Sequence, residues 1–141
     1  MTVIFSSHQA TLPELHQLGG AAARVLYSTA SHAGLMPTGP VYWLYYGMDG
    51  KPGTVFTLEV ALPIAGDTKA VEHASIKQVP QFICFSAIHR GDWGKLSITY
   101  EKAMQIMQQE LLRPNGLFRE IYLNADFVKQ ENNLTEIQIG V

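Results

Sequence analysis

The sequence predicts an α+β domain made of two copies of a β-α-β-β module. Three observations support this class: segments that repeat at one offset, two stretches with helical periodicity, and apolar runs with the length and alternation of strands. We expect an antiparallel sheet with two long helices on one face and a concave cleft on the other. A pseudo-twofold axis should relate the two halves.

Composition limits the class of protein. The 141 residues suit one domain, with a first repeat over about 1–66 and a second over about 80–141. The net charge of -2 and the lack of a basic run disfavour nucleic-acid binding. The chain shows no membrane-length apolar segment and no signal-peptide pattern. With one cysteine, Cys84, no internal disulfide can form, so we expect a reduced cytoplasmic setting.

The repeat is the strongest of these signals. Two pairs of segments share an ungapped offset of 77: LMPTGPVYWLYY (35–46) with LRPNGLFREIYL (112–123), and LEVALPI (58–64) with TEIQIGV (135–141). Earlier in the chain, IFS at 4–6 resembles CFS at 84–86 at an offset of 80. The helical regions between them therefore need a shift of about three residues.

The first helix has a defined start and end. The run Thr11-Leu12-Pro13-Glu14 has the cap, early proline and glutamate typical of a helix start. The helix should reach about His32 and stop at Gly34. Gly19-Gly20 lies inside it, and each glycine costs about 1 kcal/mol relative to alanine.

The second helix should begin after Gly91-Asp92 and end before Pro114. Its inner face is predicted from apolar residues at steps of three and four: Leu96, Tyr100, Met104, Met107 and Leu111.

A further strand near Glu72–Gln78 should precede the strand Gln81–Ile88 that opens the second repeat, for a total of seven or eight. Cys84 lies in the second of them, and we expect it to be a small buried hydrophobe rather than a nucleophile.

Alternation along the later strands assigns residues to faces. Towards the helices we place Tyr42, Leu44, Tyr46, Val60, Leu62, Leu117, Arg119, Ile121, Leu123, Ile137 and Ile139. The open face would hold Trp43, Tyr45, Glu59, Phe118, Glu120, Tyr122 and Glu136. On this assignment, repeat symmetry puts Trp43 opposite the position of Glu120.

An open face with rings and carboxylates has two interpretations. It could be an ordinary wet sheet surface, rich in aromatic residues because they suit strands. A contiguous exposed aromatic surface is uncommon on a monomer unless it binds a ligand or a partner. Rings supply apolar contact and cation–π attraction, and a partly desolvated carboxylate supplies the opposite charge for a lipophilic cation.

Four motifs, taken in order, resemble those of GyrI-like effector-binding domains, the sensor domains of multidrug-responsive bacterial transcription regulators. They are TLEVALPI (57–64), HRGDW (89–93), FREIYLN (118–124) and LTEIQI (134–139). The resemblance covers nearly the whole chain. The chain departs from the family pattern in two places. The family turn is usually Gly, a small residue and Tyr, whereas here it is Gly91-Asp92-Trp93, and the first helix contains Gly19-Gly20, which affects the expected shape of that side.

The resemblance implies a duplicated module whose concave sheet binds small, often cationic aromatic molecules. The family glutamate at the pocket base corresponds to Glu120. Relatives of this kind are regulator sensor domains, stand-alone proteins that sequester toxins, or hydrolases of cyclopropane-bearing genotoxins. With no room for a helix-turn-helix in the 141 residues, we expect a stand-alone binder with no direct nucleic-acid or membrane partner.

The expected ligand is a lipophilic, cationic or aromatic compound, bound without a cofactor. The predicted ligand-binding residues are Trp43, Tyr45, Glu59, Trp93, Phe118, Glu120, Tyr122 and Glu136. One alternative is a hydrolase in which Glu120 orients water or acts as general base. Another alternative is a protein-interaction module that neutralises a toxin. The sequence leaves open whether the chain binds a protein partner or forms a homodimer. We expect no metal site, because ligand-like spacing is absent among His8, His16, His32, His73 and His89.

Overall fold

A computed structural model describes residues 1–68 and 75–141, apart from the side chain of His16. It divides into two compact units, Met1–Gln81 and Phe82–Val141, each combining antiparallel strands with one long helix. The α+β class is therefore confirmed. The first part of the strand predicted near Glu72–Gln78 lies outside the described residues. The pseudo-twofold axis and the concave cleft stay predictions.

The first unit contains five strands and one long helix among its described residues. In its sheet the order is β5-β1-β4-β3, and the short β2 pairs with β4. All of these pairings are antiparallel. The elements are β1 (Thr2–Ala10), α1 (Leu15–His32), β2 (Met36–Pro37), β3 (Tyr42–Tyr46), β4 (Phe56–Ala65) and β5 (Ser75–Gln78).

The second unit repeats this connectivity with fewer strands. Its order is β7-β8-β6, again antiparallel. The helix packs on the sheet through Ala103 and Met107, which form a buried cluster with Ile137 and Ile139. The elements are β6 (Cys84–Arg90), α2 (Leu96–Gln109), β7 (Leu117–Asn124) and β8 (Leu134–Gly140).

The two units share one internal hairpin register. Trp43 pairs with Val60 in the first unit, and Glu120 pairs with Ile137 in the second, which is the same pair displaced by 77. The displacement of 77 holds for four consecutive residue pairs, which begin with residues 42, 43, 44 and 45 of β3. The offset of 77 predicted for these strands therefore describes equivalent structural positions.

The offset of 80 predicted for the first strands is wrong by one residue. Ile4 pairs with Leu62, and the equivalent partner of Ile139 is Phe85, an offset of 81. Because a one-residue slip moves a side chain to the other face of the sheet, this correction also concerns Cys84. The cysteine starts β6 on the face away from α2 and is partly exposed, not a buried hydrophobe.

The same offset of 81 continues into the helices, whose first residues are Leu15 and Leu96. The change from 81 to 77 then equals the difference in helix length, because α1 has 18 residues and α2 has 14. Four residues are close to one helical turn. A helix one turn shorter keeps its inner face on the sheet, which explains how both offsets fit one connectivity.

Both helices begin and end near their predicted boundaries. Before α1, the Thr11 amide donates a hydrogen bond to Glu14 Oε2 at 2.8 Å, and the chain leaves the helix through Gly34 with φ +67°. Before α2, Asp92 Oδ1 accepts from the amide of Gly94 at 2.8 Å. The inner face predicted for α2 needs two corrections. Leu111 lies beyond the helix end and is 88% exposed, and Met104 is also exposed.

Within the described residues, neither α1 nor α2 is long and apolar enough to cross a membrane.

Candidate functional site

The face assignment predicted for β3 is reversed in the structure. Trp43 lies against α1, so closely that a methyl group at Gly19 would overlap its indole ring. Tyr45 shares that face and is 1% exposed, with its ring 5.9 Å from the ring of Phe56. On the other face, Leu44 joins a core cluster with Tyr42 and Tyr46 packed against it.

The assignment for β7 is reversed in the same way. Phe118 packs with the α2 core, and Tyr100 of α2 reaches Glu120, so the side chains of Phe118, Glu120 and Tyr122 face the helix. Residues 117, 119 and 121 alternate onto the other face, and the pairing with β8 becomes irregular between Tyr122 and Asn124. Both strands carry apolar or aromatic residues on both faces, so alternation alone could not show which face meets the helix.

Glu120 is a buried carboxylate in the middle of β7. It is 5% exposed, and each of its oxygens accepts a hydrogen bond from a phenol. Tyr100 donates to Oε1 at 2.9 Å, and Tyr122 donates to Oε2 at 2.6 Å. Hydrogen bonds of this kind to a charged acceptor are stronger than neutral ones, and they make burial of the carboxylate tolerable.

The phenol of Tyr100 is held in its protonated form. Burial raises its pKa well above 10, and the neighbouring charge of Glu120 and the hydrogen bond to it raise the pKa further. Tyr100 therefore stays a hydrogen-bond donor to Glu120 across the physiological pH range.

Further aromatic rings pack on the two phenols that hold this carboxylate. The Tyr100 ring packs edge-on against Phe118 at 6.3 Å, and the Tyr122 ring packs edge-on against Trp93 at 5.5 Å. We call these five residues the Glu120 cluster. Rings around a carboxylate give apolar contact and cation–π attraction together with a full negative charge.

Trp93 connects the cluster to a surface loop. Its Nε1–H donates to Thr135 Oγ1 at 3.2 Å, and its ring packs edge-on against Phe127 at 5.2 Å. Phe127 is 70% exposed. The aromatic surface of the cluster therefore continues outward from the buried carboxylate towards solvent.

A buried histidine holds the turn from which Trp93 projects. His89 Nε2 lies 2.9 Å from the carbonyl oxygen of Asp92, and Nδ1 lies 2.8 Å from Thr99 Oγ1. Because a carbonyl oxygen only accepts, Nε2 carries a proton and donates to it. His89 thus ties the end of β6 to the start of α2 and positions Trp93.

The structure brings together four of the eight predicted site residues: Trp93, Phe118, Glu120 and Tyr122. The two other glutamates lie on the faces away from the helices. Glu59 pairs with Lys77, and Glu136 accepts from Ser86 at 2.8 Å. Ligand binding by these two and by Trp43 and Tyr45 stays a prediction. The residue that sequence reasoning missed is Tyr100, which was assigned only to the apolar inner face of the second helix. A buried tyrosine hydroxyl needs a hydrogen-bond partner, and this requirement could have indicated a nearby acid.

Two other features bear on the site. A groove of about 350 Å³ runs along the second half of α2, and its lining does not include Glu120. Its one charged lining residue is Arg113, which would repel a cation. Across residues 1–68 and 75–141, leaving out the side chain of His16, no three His, Cys, Asp or Glu side chains are grouped closely enough to hold a metal ion.

Solved structures with similar folds include three proteins. The C-terminal domain of EcmrR is 18% identical, with a TM-score of 0.76, over 99% of this chain and 89% of that chain. In the EcmrR–DNA complex the chain spans only about half of the EcmrR chain, 53%. SAV2435 bound to tetraphenylphosphonium is 14% identical, with a TM-score of 0.66, over 100% of this chain and 88% of that chain. A hydrolase from Listeria innocua is also 14% identical, with a TM-score of 0.67, over 99% of this chain and 86% of that chain.

At such identities these likenesses show the fold alone. A comparison with curated protein sequences finds no match. A family model for the GyrI-like small molecule binding domain matches residues 1–141, and the chain therefore belongs to this family.

Proposed function

We propose that this protein binds lipophilic cationic or aromatic molecules at the Glu120 cluster of its second unit. The observation that carries the proposal is the buried carboxylate of Glu120, held by two phenols on which further aromatic rings pack. The ligand would contact the rings of Trp93, Phe118 and Tyr122 and approach the charge of Glu120. This makes the aromatic residues the source of apolar contact and the acid the source of charge selection.

The electrostatic term is large enough to dominate selectivity. Two unit charges 5 Å apart attract by about 3 kcal/mol at an effective dielectric constant of 20. A difference of 1.4 kcal/mol corresponds to a factor of ten in affinity. Part of the gain is lost to desolvation of the cation. We therefore expect removal of the charge on Glu120 to weaken binding of a lipophilic cation by about 10- to 100-fold.

The structure of SAV2435, similar in fold, holds tetraphenylphosphonium, which makes this cation a suitable probe. Its binding should be measured by calorimetry to the wild-type protein and to Glu120→Gln. The glutamine keeps the size of the side chain and a carbonyl acceptor for one phenol. Glu101→Gln changes an exposed glutamate of α2 and is the matched control. Tetraphenylborate, equal in shape and opposite in charge, tests the role of the charge.

The expected pattern is binding of the cation by wild type and Glu101→Gln, weaker binding by Glu120→Gln, and poor binding of the borate. Equal affinity of wild type and a folded Glu120→Gln would refute the role of Glu120. A calorimetric titration that saturates at a fixed ratio of ligand to protein also separates a binder from the hydrolase alternative. A hydrolase would convert many ligand molecules per protein. Mass spectrometry of a reactive cyclopropane compound after incubation would detect such turnover.

A further inference from the structure

The first unit contains a second aromatic and acidic group of residues, on the sheet face away from α1. It consists of Phe5, Tyr46, Glu59 and Lys77, one from each of four neighbouring strands, and we call it the ammonium box. In β1, Phe5 is paired with Ala61, two residues from Glu59 on the same face of β4. Lys77 of β5 is paired with Val3, two residues from Phe5. Tyr46 of β3 is paired with Thr57, two residues from Glu59 in β4. The sheet register therefore places the four side chains close together.

The contacts inside the ammonium box are those of a cation site. Lys77 Nζ forms an ion pair with Glu59 Oε2. It lies 4.4 Å from the ring centroid of Phe5 and 5.9 Å from that of Tyr46. The Tyr46 hydroxyl donates to the same glutamate oxygen at 3.0 Å. Two rings and one carboxylate hold a primary ammonium group that belongs to the chain itself, and the hydroxyl of one of those rings, Tyr46, binds the carboxylate.

The ammonium group can leave without movement of the sheet. The side chain of Lys77 is 28% exposed and that of Glu59 is 14% exposed. The lysine ammonium sits on a flexible four-carbon stem, so rotation of the side chain carries it into solvent. What remains is the Glu59 carboxylate, bound by the Tyr46 hydroxyl and largely shielded from water, beside the place where the ammonium group lay near the Phe5 and Tyr46 rings. An ion pair is screened less there than at the open surface.

We propose that the ammonium box is a second ligand site, in which Lys77 is a tethered occupant that compact organic ammonium ions displace. The proposal stands on first-unit residues alone and does not depend on the Glu120 cluster. Its ligand class is set by the observed occupant: a primary alkylammonium ion. A competing tethered group lowers the apparent affinity by the fraction of time the site is open. Lys77 thus sets a threshold concentration for ligands of this site.

The test compares wild type with Lys77→Met, using n-propylammonium chloride as the probe and sodium chloride at equal ionic strength as the reference. Methionine keeps the length of the stem and removes the charge. If Lys77 occupies the box nine-tenths of the time, the variant binds propylammonium about tenfold more tightly than wild type. The added change Glu59→Gln should abolish this gain. Lys95→Met, at an exposed lysine, is the matched control and should behave as wild type.

Binding is followed by chemical shifts of the Phe5 and Tyr46 rings, which report on the box directly. A folded Lys77→Met that binds propylammonium no more tightly than wild type overturns the proposal, as does a gain that survives Glu59→Gln. If Lys77→Met does not fold, wild type decides: saturable movement of the Lys77 Nζ resonance with propylammonium supports displacement, and its absence overturns it. Glu120→Gln should leave all of these shifts unchanged, so failure here is distinct from failure at the Glu120 cluster.

Discussion

Two adjacent glycines of α1 offer a sharp test of how the first unit is packed. An added methyl group at Gly19 would overlap the indole ring of Trp43, whereas one at Gly20 would have nothing within 4 Å. Trp43 is 6% exposed, so its ring is confined. The same substitution, glycine to alanine, is therefore made in one case against a buried ring and in the other into open space.

The magnitudes separate the two variants. Alanine is favoured over glycine in a helix interior by about 1 kcal/mol. Gly20→Ala should thus raise the free energy of unfolding by up to about 1 kcal/mol. Gly19→Ala has the same helix gain, but overpacking of a confined side chain costs about 1–3 kcal/mol. We expect Gly19→Ala to be less stable than Gly20→Ala by about 1–3 kcal/mol.

The measurement is urea unfolding followed by far-ultraviolet circular dichroism and by tryptophan fluorescence. Agreement of the two probes checks whether the transition is two-state before free energies are compared. Equal midpoints for the two variants would refute the placement of Trp43 against α1. A second variant sharpens the result. The double variant Gly19→Ala with Trp43→Phe should lose less stability relative to Trp43→Phe than Gly19→Ala loses relative to wild type, because the smaller ring leaves space for the methyl group.

Two experiments test the electrostatics of the second unit, one on the pH dependence of stability and one on the reactivity of a thiol. The pKa of Tyr100 is raised in the folded protein, so its contribution to stability is complete below pH 10 and is lost as the pH rises above that value. Tyr100→Phe should therefore lose less melting temperature between pH 10 and 12 than wild type or Tyr27→Phe, and equal losses would contradict the reasoning. Burial and the charge of Glu136 raise the pKa of the Cys84 thiol, while Arg119 lowers it. Glu136→Gln should accelerate alkylation of Cys84 by iodoacetamide at pH 8 and Arg119→Gln should slow it, and unchanged rates would refute this assignment.

Local signals in the sequence predicted much of the architecture. The start of α1 at Thr11 and Glu14, its end at Gly34 and the start of α2 after Asp92 all depend on contacts between residues close in the chain. Such signals can be read without the fold. The α+β class and the offset of 77 followed from the same kind of reading, because alternation and repeat spacing are properties of the chain itself.

Partners far apart in sequence could be identified only in the structure. The acid itself, Glu120, was predicted, but its phenol partner Tyr100 comes from α2, 20 residues away along the chain. The box around Lys77 joins residues from four strands, and its ion pair with Glu59 spans 18 residues. Hydrogen bonds and ion pairs of this kind depend on strand register, which hydrophobic patterning specifies only when one face is clearly apolar.

The sequence by itself determined which side chains share a face of each strand, and the tertiary structure decided which face the helix covers. In β3 and β7 both sets contain large apolar or aromatic residues, so period-two alternation had two acceptable solutions. The choice came from shape and hydrogen bonding: a glycine that admits an indole ring in the first unit, and a tyrosine that reaches an acid in the second. Trp43 and Glu120 occupy equivalent positions in the strand pairing of the two units, yet Trp43 became part of a packed core and Glu120 became the centre of the candidate site.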